Sequence, residues 1–486
     1  MRILFASSEA HPLIKTGGLA DVSGSLPRAI RNLGRDIRLI IPAYRGVLEQ
    51  IGQLKLAGSL QIEGGDPCVR LFTARLPGSK VPVYLVDSPT LFCREGNPYT
   101  DSKGHPWPDN ARRFSTFCHA IHAVGMNEAG LDWEPDIIHC NDWQTGLVPA
   151  LLADEQQAPA SLFTIHNLAY HGLYDWSTFK SLDLPHKWWS MKQLEFHDHF
   201  SFIKGGLVFA DWLTTVSPTY AREIRTPAFG CGLDGLLNHR KANLTGILNG
   251  IDYSIWNPGR DPFIAARYNV RTLSRKTNNK LDLQRYFGLP ENPDAPLLSH
   301  IGRLVEQKGV DLILSTLPEL MKRNIQLVVL GTGERDLEKK LKAAKTTYPD
   351  QVGVHIGYDE KLSHRIEAGA DLFLMPSRFE PCGLNQIYSL RYGTIPVVRD
   401  TGGLADTVID TKEETLQEGT ANGFKFTSAK PTALLHAIDR ALLLYSHPEN
   451  WRQVVQTGMA QDFSWKRSAE QYLDLYQRIS KDRDSA

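Results

Sequence analysis

Thr16-Gly17-Gly18-Leu19-Ala20-Asp21 recurs letter for letter as Thr401-Gly402-Gly403-Leu404-Ala405-Asp406. Each copy stands after an apolar run short enough for a strand and before a run with helical spacing. Two glycine turns between strand and helix would account for the glycines, but not for the whole string. The repeat therefore predicts two related α/β domains. Each aims a glycine-rich helix start, with free backbone N–H groups and the positive end of the helix dipole, at one ligand.

Outward from the two copies, strand-like runs alternate with helical spacing along nearly the whole chain, the pattern of parallel sheets covered by helices. In the first half the strands are expected at 3–6, 37–41, 83–86, 136–139, 162–165 and 212–216, with helical stretches at 111–125 and 189–209. In the second half they are expected at 297–301, 327–330, 352–356, 372–375 and 395–398. Between the halves, Asn249-Gly250-Ile251-Asp252 through Trp256-Asn257-Pro258-Gly259 leads into a polar stretch reaching Lys280 with little periodicity. That reads as an interdomain connection, with the boundary near residue 250.

Composition narrows the function. Lysine plus arginine and aspartate plus glutamate both number 54 in 486 residues, so no charged face is expected to hold nucleic acid or an anionic membrane. No apolar run approaches the ~20 residues of a membrane span, and the apolar stretch at the N-terminus is too short for a signal peptide. Six widely spaced cysteines, with no Cys-x-x-Cys pair, fit reduced thiols in a cytoplasm.

Several familiar signatures are missing. The chain has no P-loop, no Gly-x-Ser-x-Gly and no His-Glu-x-x-His. Gly230-Cys231-Gly232-Leu233-Asp234-Gly235 matches a dinucleotide fingerprint in letters, but it does not follow a strand. His197-Asp198-His199, read on a helix, would point its histidines apart, so no metal site is expected there. The one Asp-x-Asp is Asp482-Arg483-Asp484, in a polar tail (481–486) expected to be disordered, so neither a metal ion nor another cofactor is expected.

In open α/β sheets ligands bind beyond the carboxyl ends of the strands. Those positions here are Lys15-Thr16-Gly17-Gly18, His139-Cys140-Asn141-Asp142-Trp143, His166-Asn167, Gly302-Arg303 with Lys308-Gly309, Gly331-Thr332-Gly333, Tyr358-Asp359-Glu360, Glu380-Pro381-Cys382-Gly383 and Thr401-Gly402-Gly403. Three cations, Lys15, Arg303 and Lys308, together with two glycine-rich helix starts, suit a diphosphate. Arg303 offers a planar fork and Lys308 a mobile point charge, and both would neutralise a leaving group whose charge grows in the transition state.

These motifs resemble the bacterial glycogen synthase and plant starch synthase family over essentially the full length. The resemblance rests on Lys15 to Asp21, His139 to Trp143, Thr164-Ile165-His166-Asn167, Gly232 to Gly235, Asn249 to Asp252, Gly302-Arg303-Leu304 through Gln307-Lys308-Gly309, Pro376 to Leu384 and Thr401 to Leu404. It implies a GT-B-type α/β fold: a Rossmann-like acceptor-side domain (1–250) and a donor-side domain (251–464) facing a deep cleft, with a helix at about 465–480 returning to the first domain. It implies a metal-independent, retaining transfer of glucose from ADP-glucose to the non-reducing end of an α-1,4-glucan such as glycogen.

By motif match Lys15, Asp142, His166, Arg303, Lys308 and Glu380 would be catalytic. Arg303 and Lys308 would hold the diphosphate, Glu380 would meet the sugar or ribose, and Asp142, His166 and Asn249 would line the glucosyl and acceptor side. The backbone of Gly402 and Gly403 would bind phosphate, Lys15 would reach it from the other domain, and Tyr358 would stack on adenine. Gly17, Gly18, Asp21, Cys382, Gly383, Leu384 and Thr401 complete the implied donor set. Many retaining relatives carry a second glutamate eight positions after the first, where this chain has Tyr388. Retention admits front-face attack or double displacement. The competing classes are an α-glucan phosphorylase-like enzyme, which would need pyridoxal phosphate, and a non-catalytic glucan-binding protein.

Overall fold

The structure, a computed structural model, describes residues 1–62 and 68–484, the side chains of 482–484 excepted. The side chains of the Asp-x-Asp motif and the last residues of the polar tail lie outside the described residues. The described chain forms two units, Met1–Gly250 with Trp465–Ala486, and Ile251–Ser464.

The first unit is built on a nine-stranded sheet. In spatial order its strands are Leu244–Gly246, Trp212–Thr215, Ala160–Ile165, Ile137–Asn141, Arg2–Ala6, Asp36–Pro42, Pro82–Asp87, Val69–Arg75 and Lys55–Leu60. All run parallel up to Pro82–Asp87, and the last two close the edge as an antiparallel pair. Ile3, Leu4, Phe5 and Ala6 are all fully buried, because helices cover both faces of a parallel sheet. Strand order reverses between Arg2–Ala6 and Ile137–Asn141: successive strands add on one side up to Pro82–Asp87, and Ile137–Asn141 then pairs with the opposite side of the first strand. A crevice opens beyond the carboxyl ends at such a point.

The second unit repeats the plan with a six-stranded, wholly parallel sheet. Its spatial order is Val352–Ile356, Gln326–Gly331, Leu297–Ile301, Leu372–Met375, Ile395–Arg399 and Phe424–Phe426. The reversal here lies between Leu297–Ile301 and Leu372–Met375.

Three expectations fail. The tail expected to be disordered from 481 instead continues the helix Trp465–Asp484 as far as 484. The stretch 189–209 is helical only over Phe202–Phe209; before it, Glu195–Phe196 and His199–Ser201 form a small antiparallel hairpin. His197 and Asp198 make its two-residue turn, both at positive φ, so this motif never lay on a helix. Apolar and aromatic residues fill 189–209 so densely that a helical spacing can be traced through a compact aromatic insertion.

The polar stretch to Lys280 is likewise no linker. Asp261 is buried and accepts hydrogen bonds from His364 Nδ1 at 2.6 Å and Tyr392 Oη at 2.5 Å. Lys276 donates to the Ala368 carbonyl at 2.9 Å and Thr394 Oγ1 at 2.8 Å, and burial lowers its ammonium to about 7. Polarity here marks side chains that satisfy one another inside the second unit.

The helix Trp465–Asp484 packs on the helix Gly18–Asn32 of the first unit. Its Tyr476 Oη lies 2.7 Å from Nδ1 of His139, whose Nε2 lies 2.6 Å from Thr164 Oγ1. Desolvation holds His139 well below its usual range, so the ring is neutral and these two hydroxyls are its partners. At the other crossing the amide of Ile251 donates to the Phe463 carbonyl at 2.8 Å, so the second unit's two ends adjoin. Tyr476→Phe strands a buried ring nitrogen. Denaturant unfolding should show a loss of about 1 to 2 kcal/mol, and an unchanged midpoint would remove this bond from the fold's support.

Candidate active site

In the first unit the site residues leave the two strands at the reversal and their neighbour, except Asn249, which follows the edge strand Leu244–Gly246. After Arg2–Ala6, the buried carboxylate of Glu9 accepts from the amides of Thr16 at 2.6 Å and Gly17 at 3.3 Å. It also accepts from the Thr16 hydroxyl at 2.8 Å and the Tyr99 hydroxyl at 2.7 Å. Burial raises the Glu9 carboxyl above its usual range against these donors. The first glycine loop is therefore moulded around an internal anion, and the expected free N–H groups of Thr16 and Gly17 are engaged. Sequence reasoning missed Glu9, although three polar residues directly after a buried strand were a signal. Tyr99 arrives from a distant loop and gave none.

Lys15 is partly exposed, and Asp21, one turn into the helix, holds its ammonium at 2.7 Å. Asp21 thus positions a cation. A Cβ built on Gly17 or Gly18 would meet nothing within 4 Å, so the chain leaves open space over this helix start.

Asp142 follows Ile137–Asn141 with φ +57° and is 8% exposed. Its Oδ1 accepts from the amides of His166 at 2.8 Å and Asn167 at 3.3 Å. Burial pushes its carboxyl up to about 7, against the pull of those two amides. Asn141 fixes the His166 ring: its Nδ2 donates to the carbonyls of Ala6 at 3.0 Å and His139 at 3.3 Å, so its Oδ1, 2.9 Å from His166 Nε2, must accept. His166 Nε2 therefore carries the proton and Nδ1 the lone pair. Burial lowers this ring to about 3, which keeps it neutral. Asn249 is buried, and its Oδ1 has no hydrogen-bond partner. A buried amide oxygen left this way suits a ligand hydroxyl.

In the second unit Arg303 and Lys308 follow Leu297–Ile301 and Glu380 follows Leu372–Met375, so they flank the reversal. Lys308 Nζ and Glu380 Oε2 pair at 2.5 Å, and Ser377 donates to the same oxygen at 3.1 Å. Arg303 is exposed, its guanidinium 3.4 Å from Gln307 Oε1. On the strand before Arg303, His300, another residue missed, donates from Nδ1 to the Leu374 carbonyl at 2.9 Å.

The second glycine loop has the same letters as the first and a different reason for them. Gly402 has φ +46°, and a Cβ on it would fall 1.9 Å from the Glu380 carbonyl oxygen; one on Gly403 would fall 2.1 Å from that of Cys382. The amide of Gly403 already donates to the carbonyls of Glu380 at 3.1 Å and Pro381 at 3.2 Å, which corrects the expectation of a free N–H there. These glycines seat the Glu380 loop against the helix Gly402–Thr407.

Thr401 and Cys382 are buried, Gly383 turns the loop at φ +71°, and Leu384 packs against the cluster of Ile251, Ile387 and Tyr388. Tyr388 stacks on Trp256 at 3.8 Å, so the position of the relatives' second glutamate does packing work. Tyr358 stands 74% exposed two strands away from the reversal, beyond Val352–Ile356.

The family model of the starch synthase catalytic domain matches residues 2–239, and that of group 1 glycosyl transferases matches 286–456. Glycogen synthase 2 of Nitrosococcus oceani is 55% identical over 98% of this chain and 97% of its own. The glycogen synthase of Thioalkalivibrio sulfidiphilus is 56% identical over 99% and 100%. Among solved structures, the catalytic domain of starch synthase IV from Arabidopsis thaliana, bound to ADP and acarbose, matches with TM-score 0.88 at 34% identity, covering 99% of each chain. Sucrose-phosphate synthase from Thermosynechococcus elongatus, at TM-score 0.59 and 17% identity over 98% of each chain, shares the fold alone.

The raised Asp142 carboxyl has a cost. A folded-state value near 7 against 3.8 unfolded means stability fully present below pH 4 and lost as pH rises through 7. Asp142→Asn keeps the oxygen that accepts the two amides, removes the charge and tolerates positive φ. It should be more stable than the parent by roughly 2 kcal/mol or more at pH 8.5, with a much smaller gain at pH 4.5. Unfolding curves at both pH values check this; a gain independent of pH would refute the burial argument.

Proposed function

The chain belongs to the glycogen synthase family of hexosyltransferases, with the GT-B fold, and on that premise we propose that it transfers glucose from ADP-glucose to the non-reducing end of an α-1,4-glucan, retaining configuration and releasing ADP. The single observation that carries this reading is the Lys308–Glu380 pair beside Arg303 at the reversal of the second sheet. There, two cations suit the diphosphate and a carboxylate suits the hydroxyls of sugar or ribose. The Arabidopsis relative, bound to ADP, supports adenine as the base. Tyr358 is the ring assigned to stack on it.

Arg303 and Lys308 neutralise the departing β-phosphate, Lys15 adds a further cation, and the loop seated by Gly402 and Gly403 places Glu380. Asn249 Oδ1 and the lone pair on His166 Nδ1 accept hydroxyl hydrogens of the sugars. Asp142, with one oxygen held by two amides and a carboxyl that titrates near 7, suits fixing the His166 loop better than attacking an anomeric carbon. This favours front-face substitution, in which the leaving phosphate takes the acceptor's proton and the protein supplies electrostatic stabilisation and positioning. No cofactor takes part. Among the described residues no helix is long and apolar enough to cross a membrane; the wide spacing of the six cysteines, with no Cys-x-x-Cys pair, suits the reducing cytoplasm.

Purified protein given ADP-glucose or UDP-glucose with an oligoglucan should turn over the adenine donor faster; a preference for UDP-glucose would overturn the base assignment. Lys308→Ala should lower turnover ~30- to 1000-fold, far more than it weakens glucan binding. Activity should survive EDTA, and a loss restored by manganese would refute the metal-free reading.

A further inference from the structure

His300 is the penultimate residue of Leu297–Ile301 and 2% exposed. Its Nδ1 lies 2.9 Å from the Leu374 carbonyl, which can only accept, so Nδ1 carries the proton and Nε2 the lone pair. Nε2 is buried with no hydrogen-bond partner. A buried acceptor left unused costs stability and asks for a reason. Two residues on, Gly302 puts no side chain against the ring: a Cβ there would stand 3.8 Å from Nε2, in ordinary van der Waals contact. Burial lowers the ring to about 4, and the charges acting on it are those of Lys308 and Glu380.

Lys308 faces a conflict. Its ammonium is held at 2.5 Å by Glu380, a partner that cancels the charge a diphosphate requires. An ammonium has three N–H donors, and a neutral imidazole can take one without cancelling anything. We propose that His300 is a positioning residue for Lys308: its bare Nε2 accepts an N–H of the ammonium as Lys308 turns from Glu380 to the donor's diphosphate. The leaving group then meets a full positive charge with one of its three hydrogens already placed. This inference rests on the reading of Lys308 as the cation that meets the diphosphate.

Two substitutions separate the ring's nitrogens. His300→Asn keeps a donor for the Leu374 carbonyl and removes the Nε2 lone pair, whereas His300→Gln keeps an acceptor near Nε2 and gives up the Leu374 bond. The proposal expects His300→Asn to lower kcat about 10-fold or more with the glucan KM unchanged, and His300→Gln to recover most of that loss. A purely structural histidine gives the opposite order, in thermal stability and in turnover alike. Normal turnover in His300→Asn, or equal losses in both variants, overturns the proposal. If His300→Asn does not fold, His300→Leu, which has no acceptor, takes its place against His300→Gln with the same outcomes. Lys308→Ala measured alongside keeps the readings apart: near-normal turnover there removes Lys308 from the donor site, whereas a large loss with no effect at His300 refutes only the role of the histidine.

Discussion

Loops that follow neighbouring parallel strands normally cross to the same face of a sheet and pack together. Where the order reverses they leave for opposite faces, and the carboxyl ends between them stay open. Both sheets contain one such reversal, between Arg2–Ala6 and Ile137–Asn141 and between Leu297–Ile301 and Leu372–Met375. Most of the charged groups of the site are hung there: Glu9 and Lys15 after one strand of the first pair, Asp142 after the other; Arg303 and Lys308 after one strand of the second pair, Glu380 after the other. Lys308 and Glu380, far apart in sequence, meet because the strands they follow pair side by side.

Within that frame each half answers the problem of buried charge differently. The first unit wraps its anion, Glu9, in amides and hydroxyls and ties Lys15 to Asp21. The second sets Lys308 directly on Glu380 and shields the pair with Ser377. The identical hexapeptides reflect this division. In one copy the glycines border open space over a long helix; in the other they admit the backbone of the Glu380 loop at distances no side chain allows.

Much of this was legible from residue order. Strands 297–301, 352–356 and 372–375 read correctly to the residue because buried parallel strands are short apolar runs with sharp polar ends. The edge strands Lys55–Leu60, Leu244–Gly246 and Phe424–Phe426 carried no such signal, since half-buried or very short strands lack the contrast. Lys15, Asp142, Arg303, Lys308 and Glu380 stood out as polar residues at strand ends. Tyr99 and Ser377 did not, because their importance comes from which carboxylate they touch. Nor did His300, which looks like one more strand residue until its two nitrogens are told apart. The aromatic insertion misled because a cluster and a helix can share a spacing.

The bond between His139 and Tyr476, together with the adjoining ends of the second unit at Ile251 and Phe463, makes that second unit an insertion within the first. For a chain made from its N-terminus this sets an order of events. The inserted unit has all of its residues at 464, while the first unit still lacks the helix that fills its surface beside Gly18–Asn32 and closes on His139. The part synthesised first is therefore the part completed last, and until residue 476 emerges the ring of His139 waits in an unfinished core.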